Sequence, residues 1–112
     1  MNNKDIKLDL LRKIESNSKY TQRELSREIG VSLGKINYCM KELSKKGWIK
    51  LIKFNQNPNK IGYAYLLTPR GIEQKTRLSF KFLKLKIAEY EMLKSEISEL
   101  ERDTINLKLG DK

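Results

Sequence analysis

Hydrophobic residues recur along this chain at spacings that change twice. Ile6, Leu10, Leu11 and Ile14 fall on one face of a 3.6-residue repeat and predict an amphipathic helix from about Lys4 to Glu15, ended by Ser16, Asn17 and Ser18. Leu25 and Ile29 give a second buried stripe, and Ile36, Met40 and Leu43 a third, at i, i+4, i+7. The period then shortens. Trp48 to Phe54 (W-I-K-L-I-K-F) and Tyr63 to Leu67 are rich in aromatic and β-branched residues, with N-Q-N-P-N-K-I-G between them. That pattern predicts a β-hairpin with a long polar tip from Asn55 to Lys60, made flexible by Asn57, Pro58 and Gly62. Beyond Gly71 neither Pro nor Gly recurs until Gly110, so a helix is expected from Pro69 to about Leu107, roughly 55 Å long at ~1.5 Å per residue.

Local signals place the ends of these elements. Thr21 is an N-cap with Glu24 three residues on, and Tyr20 can staple onto Leu25. Gly30 stops that helix where φ > 0 is favoured. Ser32 then caps the next, with Val31 and Ile36 as a second staple. Gly47 ends this helix after Lys45 and Lys46, cations suited to a C-terminus, and Thr68 with Pro69 opens the last one. Two helices joined by so short a turn form a helix-turn-helix from Tyr20 to Gly47. The hairpin that follows at once makes it a winged helix, with residues 55–62 as the wing. The fold class is mainly α with a small β-hairpin (α+β): a winged helix-turn-helix domain over 1–68, then a long C-terminal dimerisation helix over 69–112.

That last helix is too long to pack wholly on so small a domain. Leu83, Tyr90, Ile97 and Thr104 recur every seven residues, and Leu93, Leu100 and Leu107 follow the last three by three, which is an a/d seam. Leu78, Phe82, Leu85 and Met92 form a second stripe. Two apolar faces imply two neighbours, the winged domain and a second copy of the chain; a fold-back hairpin lacks any turn signal. Leu83, Tyr90, Leu93, Ile97, Leu100 and Leu107 are the expected dimerisation residues. Helix direction is left open by the charges. Residues 70–86 carry six basic side chains and one acid, and 87–103 six acids and two bases, which favours antiparallel pairing. Glu89, Glu96 and Asp103 all fall at g, where antiparallel helices would set them against one another.

Charge changes the picture for the second helix of the motif. The 112 residues hold 24 Lys and Arg against 14 Asp and Glu, a net charge of +10. From Leu33 to Lys60 there are seven lysines and the single acid Glu42. Such a field suits a polyanionic partner. Lys35 stands in a first turn where the helix dipole opposes a cation by ~0.3 to 1 kcal/mol, which a phosphate at that helix end would offset. With Ile36, Met40 and Leu43 inward, Leu33, Lys35, Asn37, Tyr38 and Lys41 face away from the core, and Asn37 and Tyr38 can hydrogen-bond base edges. The helix from about 32 to 46 therefore reads as a recognition helix for the major groove. The DNA-contacting set is expected to be Thr21, Gln22 and Arg23, then Ser32, Leu33, Gly34, Lys35, Asn37, Tyr38 and Lys41, with Asn59 and Lys60 in the wing.

Other chemistry is thin. The chain has one cysteine, Cys39, and no histidine, which excludes disulfide frameworks and His/Cys metal sites within one chain and deprives a catalytic triad of its base. No catalytic constellation, cofactor site or phosphate loop is in view, so an enzyme is not expected. Cys39 is read as a small buried apolar residue rather than a redox switch, and Tyr63 and Tyr65 as core aromatics rather than base-stacking platforms. With no cleavable leader and no apolar run long enough for a bilayer, a cytoplasmic protein is expected.

T-Q-R-E-L-S-R-E-I-G-V-S-L-G-K-I-N-Y (Thr21 to Tyr38), K-K-G-W-I-K (Lys45 to Lys50) and L-L-T-P-R-G (Leu66 to Gly71) carry a family resemblance. The chain resembles the MarR-type winged-helix transcriptional regulators, most closely their exopolysaccharide-associated subgroup. The resemblance implies a dimeric regulator of transcription on double-stranded DNA, and the subgroup implies genes for surface polysaccharide. Two departures matter. MarR-type proteins usually have a longer N-terminal helical region in the dimer interface; here the first helix begins almost at Met1, which puts dimerisation on the C-terminal helix and leaves a small-molecule effector unspecified. The family's wing commonly carries an Asp and Arg pair, whereas this one has Lys60 among asparagines, so a phosphate contact is expected there. A winged helix serving as a protein-protein module, or binding RNA, is the alternative.

Overall fold

A computed structural model of the chain describes residues 3–58 and 60–110. In chain order they form helices α1 (Asn3–Ser16), α2 (Gln22–Ile29) and α3 (Leu33–Lys45), strands β1 (Ile49–Asn57) and β2 (Lys60–Leu67), and helix α4 (Pro69–Gly110). The residues divide into two compact units, 1–79 and 80–112.

The first unit is built around the three predicted stripes. Ile6, Leu10, Leu11 and Ile14 of α1 meet Leu25 of α2, Ile36, Cys39, Met40 and Leu43 of α3, and Ile49 of β1 in one buried cluster. Tyr20, Ile29, Val31, Trp48, Tyr65, Leu67 and Leu78 pack partly buried around it. Cys39 is thus the small core residue that its residue type predicts.

The helix ends follow the local chemistry. Thr21 Oγ1 accepts from Glu24 N at 3.1 Å and Glu24 Oε1 accepts from Thr21 N at 2.9 Å, a complete capping box. Gly30 closes α2 at φ +81°, and Ser32 Oγ accepts from Lys35 N at 3.1 Å to open α3. Lys13 Nζ and the Tyr20 hydroxyl both donate to Glu28 Oε1, at 2.9 and 3.0 Å, which ties α2 to α1 and to the loop before it. At the end of α3 Trp48 N donates to Leu43 O and Gly47 N to Ser44 O, with Gly47 at φ +75°. This Schellman pattern turns the chain directly into β1.

The hairpin is antiparallel and is fastened near its base. Tyr65 N donates to Ser18 O at 2.9 Å, and Thr68 N to Trp48 O at 2.9 Å. Its tip departs from the expected long polar loop. Pairing runs on through Asn55↔Ile61 to Asn57↔Lys60, with a one-residue slip that makes Gln56 a bulge. Backbone pairing is indifferent to side-chain polarity, so the asparagines extend the ladder. Gly62 is no flexible joint either. It is buried, and a Cβ there would lie 2.6 Å from the Phe54 ring that stands opposite it in the register. Tyr63 also differs from the expectation of a core aromatic, being 53% exposed, while Tyr65 packs on the core.

Helix α4 opens with Gly71 N donating to Thr68 Oγ1 at 3.1 Å, and the helix runs without a break, as the absence of Pro and Gly predicts. Of the expected second stripe Leu78 packs on the core and Phe82 is half-buried, but Leu85 and Met92 are exposed. In residues 80–112 the seam positions Leu83, Tyr90, Leu93, Ile97, Leu100 and Leu107 are all exposed, at 48 to 63%. Among the described residues, no helix is long and apolar enough to cross a membrane.

Candidate nucleic-acid interface

The starts of α2 and α3 lie side by side because Gly30 lets the chain reverse within a few residues. Ser26 Oγ, donating to Val31 O at 2.5 Å, braces that turn from the helix before it. Between the two helix starts is a concavity of about 560 Å³ lined by Thr21, Gln22, Arg23, Leu33, Gly34 and Asn37. All six belong to the expected DNA-contacting set. None is a carboxylate, and Arg23 and Leu33 are exposed on its rim. A Cβ on Gly34 would meet nothing within 4 Å, so the glycine leaves the α3 backbone open to close approach.

Two smaller hollows, each about 360 Å³, continue from it along the hairpin. One is lined by Gln22, Asn37, Met40, Lys41, Ser44, Lys45, Leu51 and Tyr65, the other by Lys19, Tyr20, Thr21, Gln22, Leu51, Tyr63 and Tyr65. Gln22 borders all three. Lys41 and Tyr38 are exposed, Tyr38 to 57%, and Lys35 is half-buried in the first turn of α3. Asn59 and the side chain of Lys60 lie outside the described residues; the Lys60 backbone pairs with Asn57.

Asn37 is not simply outward-facing, as its spacing suggests. Its Nδ2 donates to Gln22 Oε1 at 3.1 Å, and Gln22 Nε2 donates to the Tyr65 hydroxyl at 3.2 Å. Sequence reasoning also missed Leu51, Tyr63, Tyr65 and Lys45 as part of this surface. The register supplies the signal: Leu51 stands opposite Tyr65 and Lys53 opposite Tyr63, on the face that carries Ile49 and Leu67 into the core. Farther along β1 that face extends past the helices and is left open.

Local electrostatics are dominated by cations. Lys46 caps α3 and lies over the Trp48 ring at 5.0 Å. It also presses on Lys7 of α1, whose ammonium is held below the ordinary lysine value, first by its contact with Lys46 and then by burial. Two carboxylates on α2 are held low by donors. Glu24 is lowered by the Thr21 backbone N–H, and Glu28 by Lys13 and then Tyr20.

Residues 4–50 match the family model of the winged helix-turn-helix DNA-binding domain. The chain has the winged helix-turn-helix fold. Solved structures extend the likeness past the motif. The PcaV transcriptional regulator from Streptomyces coelicolor superposes with a TM-score of 0.60 at 16% identity, over 71% of this chain and 55% of that one. ZitR from Lactococcus lactis gives 0.65 at 14% identity, over 95% of this chain and 70% of the other. A PadR family transcription regulator from Clostridium difficile gives 0.57 at 18% identity, over 76% and 96%. The chain thus spans little more than half the length of the PcaV regulator. No curated protein matches it in sequence.

Proposed function

We propose that this protein is a sequence-specific DNA-binding transcriptional regulator that works as a homodimer. Residues 1–68 carry the DNA-binding unit and 69–112 the dimerisation helix. In this reading α3 enters the major groove, with Leu33, Lys35, Asn37, Tyr38 and Lys41 toward the bases and flanking phosphates. Thr21, Gln22, Arg23 and Ser32 face the same groove edge, and Asn59 and Lys60 of the wing lie against the backbone beside it.

The observation that carries the proposal is the concavity between the starts of α2 and α3. It joins a helix start without acids, an open glycine and an amide side chain to a lysine-rich flank, which suits phosphate positioning and base readout together. Dimerisation is supported by the exposed seam of Leu93, Ile97 and Leu100, an apolar stripe that water would otherwise cover. The resemblance to the exopolysaccharide-associated subgroup supports surface-polysaccharide genes as targets.

Selection from a random duplex pool by the purified full chain tests the function. The expected result is one enriched site with two-fold symmetry. Retention of random duplex without enrichment, or preference for RNA, would overturn it. Genomic fragments captured in the same way should come from upstream of surface-polysaccharide genes; fragments from elsewhere would remove the target assignment alone.

A further inference from the structure

The amide of Asn37 is held from behind, and this decides what it can read. A carboxamide offers two N–H donors and one carbonyl acceptor. Asn37 gives one N–H to Gln22 Oε1 at 3.1 Å, and Gln22 in turn gives an N–H to the Tyr65 hydroxyl at 3.2 Å. The three residues come from α3, α2 and β2, and each is half-buried. One Nδ2 hydrogen and Oδ1 of Asn37 therefore remain for a partner in the concavity that Asn37 lines. Turning the amide over would set Oδ1 against Gln22 Oε1. The reversal needs both amides to turn together and the Tyr65 hydroxyl to change from acceptor to donor.

Adenine presents an N7 acceptor beside an N6 donor in the major groove, the complement of one N–H and one C=O. Guanine presents two acceptors, N7 and O6, and O6 would meet the Asn37 carbonyl. We infer that Asn37 reads an adenine through Nδ2 and Oδ1, and that Gln22 and Tyr65 are positioning residues that fix the plane and direction of its amide. The inference rests on the DNA-binding reading above and names the base and the supporting shell. Gln22 thus links the hairpin to base choice: a change at Tyr65 alters specificity through the Asn37 amide.

The test uses the full chain and the site recovered by selection, with binding measured by fluorescence anisotropy. Each adenine of a half-site is replaced in turn by 7-deazaadenine and by guanine. At one adenine the wild type should lose about 5- to 150-fold, the range of a bidentate pair. Asn37→Ala should show the same loss on the unmodified site and no further loss on the modified ones. Gln22→Leu, and more weakly Tyr65→Phe, should reduce the adenine-to-guanine ratio about tenfold, the ratio being independent of any uniform change in duplex affinity. Gln22→Glu, which still accepts from Asn37 Nδ2, should keep the ratio even though its charge weakens binding to every duplex. Circular dichroism checks that each variant folds, and Tyr65→Phe stands in for Gln22→Leu if that variant does not.

If selection recovers no site, the DNA-binding reading fails and this inference with it. If a site is recovered but Asn37→Ala remains as sensitive to 7-deazaadenine as the wild type at every adenine, adenine readout is overturned. If adenine readout holds and the folded Gln22→Leu and Tyr65→Phe variants keep the full ratio, the positioning role is overturned.

Discussion

A Cβ built on Gly71 would stand 1.9 Å from the carbonyl oxygen of Trp48. The start of α4 therefore reaches the turn between α3 and β1 only because residue 71 has no side chain. The same carbonyl accepts from Thr68 N at 2.9 Å, and the Thr68 hydroxyl donates to Gly47 O at 2.5 Å, so the approach is fixed by hydrogen bonds as well. Gly71→Ala should destabilise the fold by about 1–3 kcal/mol, since the backbone must move to admit a methyl group. Gly34→Ala is the control. Open space surrounds that position, and alanine should raise stability by up to about 1 kcal/mol through helix propensity. Urea unfolding of both variants checks the contrast; equal losses would show that the close approach is relaxed in solution.

Lys41 and Asn37 should separate on DNA. Lys41→Ala should weaken specific and random duplex alike and flatten the salt dependence by about one unit, as for a phosphate contact. Asn37→Ala should cost ~1 to 3 kcal/mol on the selected site and little on random DNA. Affinities at two or more salt concentrations decide it, and equal losses on both DNAs would take Asn37 out of base readout. In the same assay Lys60→Glu should lower affinity at low salt, and an unchanged value would make the wing a bystander.

The chain should sediment as a dimer at micromolar concentration, and Leu93→Glu with Ile97→Glu should give a folded monomer that loses the two-fold site. Helix direction is read with Arg102→Cys in a Cys39→Ala background, alanine being chosen because Cys39 is 2% exposed in the core. The charge blocks of 70–86 and 87–103 favour antiparallel helices, which hold the two thiols apart and leave them reduced. Fast disulfide formation under mild oxidation would establish parallel helices.

Acid should loosen the first unit through Glu24 and Glu28. Both carboxyls are held below the ordinary glutamate value by donors that exist only in the fold: the Thr21 N–H for one, Lys13 and Tyr20 for the other. Their contribution is complete above the unfolded value of about 4.3 and is lost as pH falls through the lower folded values. Urea midpoints should therefore drop below about pH 4.3, and Glu28→Gln should flatten that drop. Thr21→Ala should cost about 1 kcal/mol at neutral pH, the usual worth of an N-cap.

Lys7 has the opposite sign. Its ammonium is held low by Lys46, so the fold carries a repulsion while both are charged, and stability should rise as pH climbs through the lowered Lys7 value toward the unfolded value of about 10.4. Lys7→Met should raise the urea midpoint at pH 7 and abolish that alkaline gain. An unchanged midpoint would show that the two ammonium groups avoid each other in solution.

The helices and their caps were legible in the sequence because the forces that set them act within one or two turns. Thr21 reaches Glu24, Ser32 reaches Lys35, and Gly30 and Gly47 take up positive φ, all within a few residues. The core positions at Ile6, Leu10, Leu11, Ile14, Leu25, Ile36, Met40 and Leu43 followed from periodicity, because a helix places such residues on one side whatever it packs against. Tertiary structure decided the rest. Asn57 pairs with Lys60 because a backbone ladder can propagate through polar residues, which a reading of side chains treats as loop. The Asn37 amide is engaged because Gln22, fifteen residues earlier, and Tyr65, forty-three residues beyond Gln22, converge on one another. Gly71 is required because Trp48 lies against it. These contacts join elements whose separation in the chain carries no periodic or capping signal, so only the folded arrangement could bring them together.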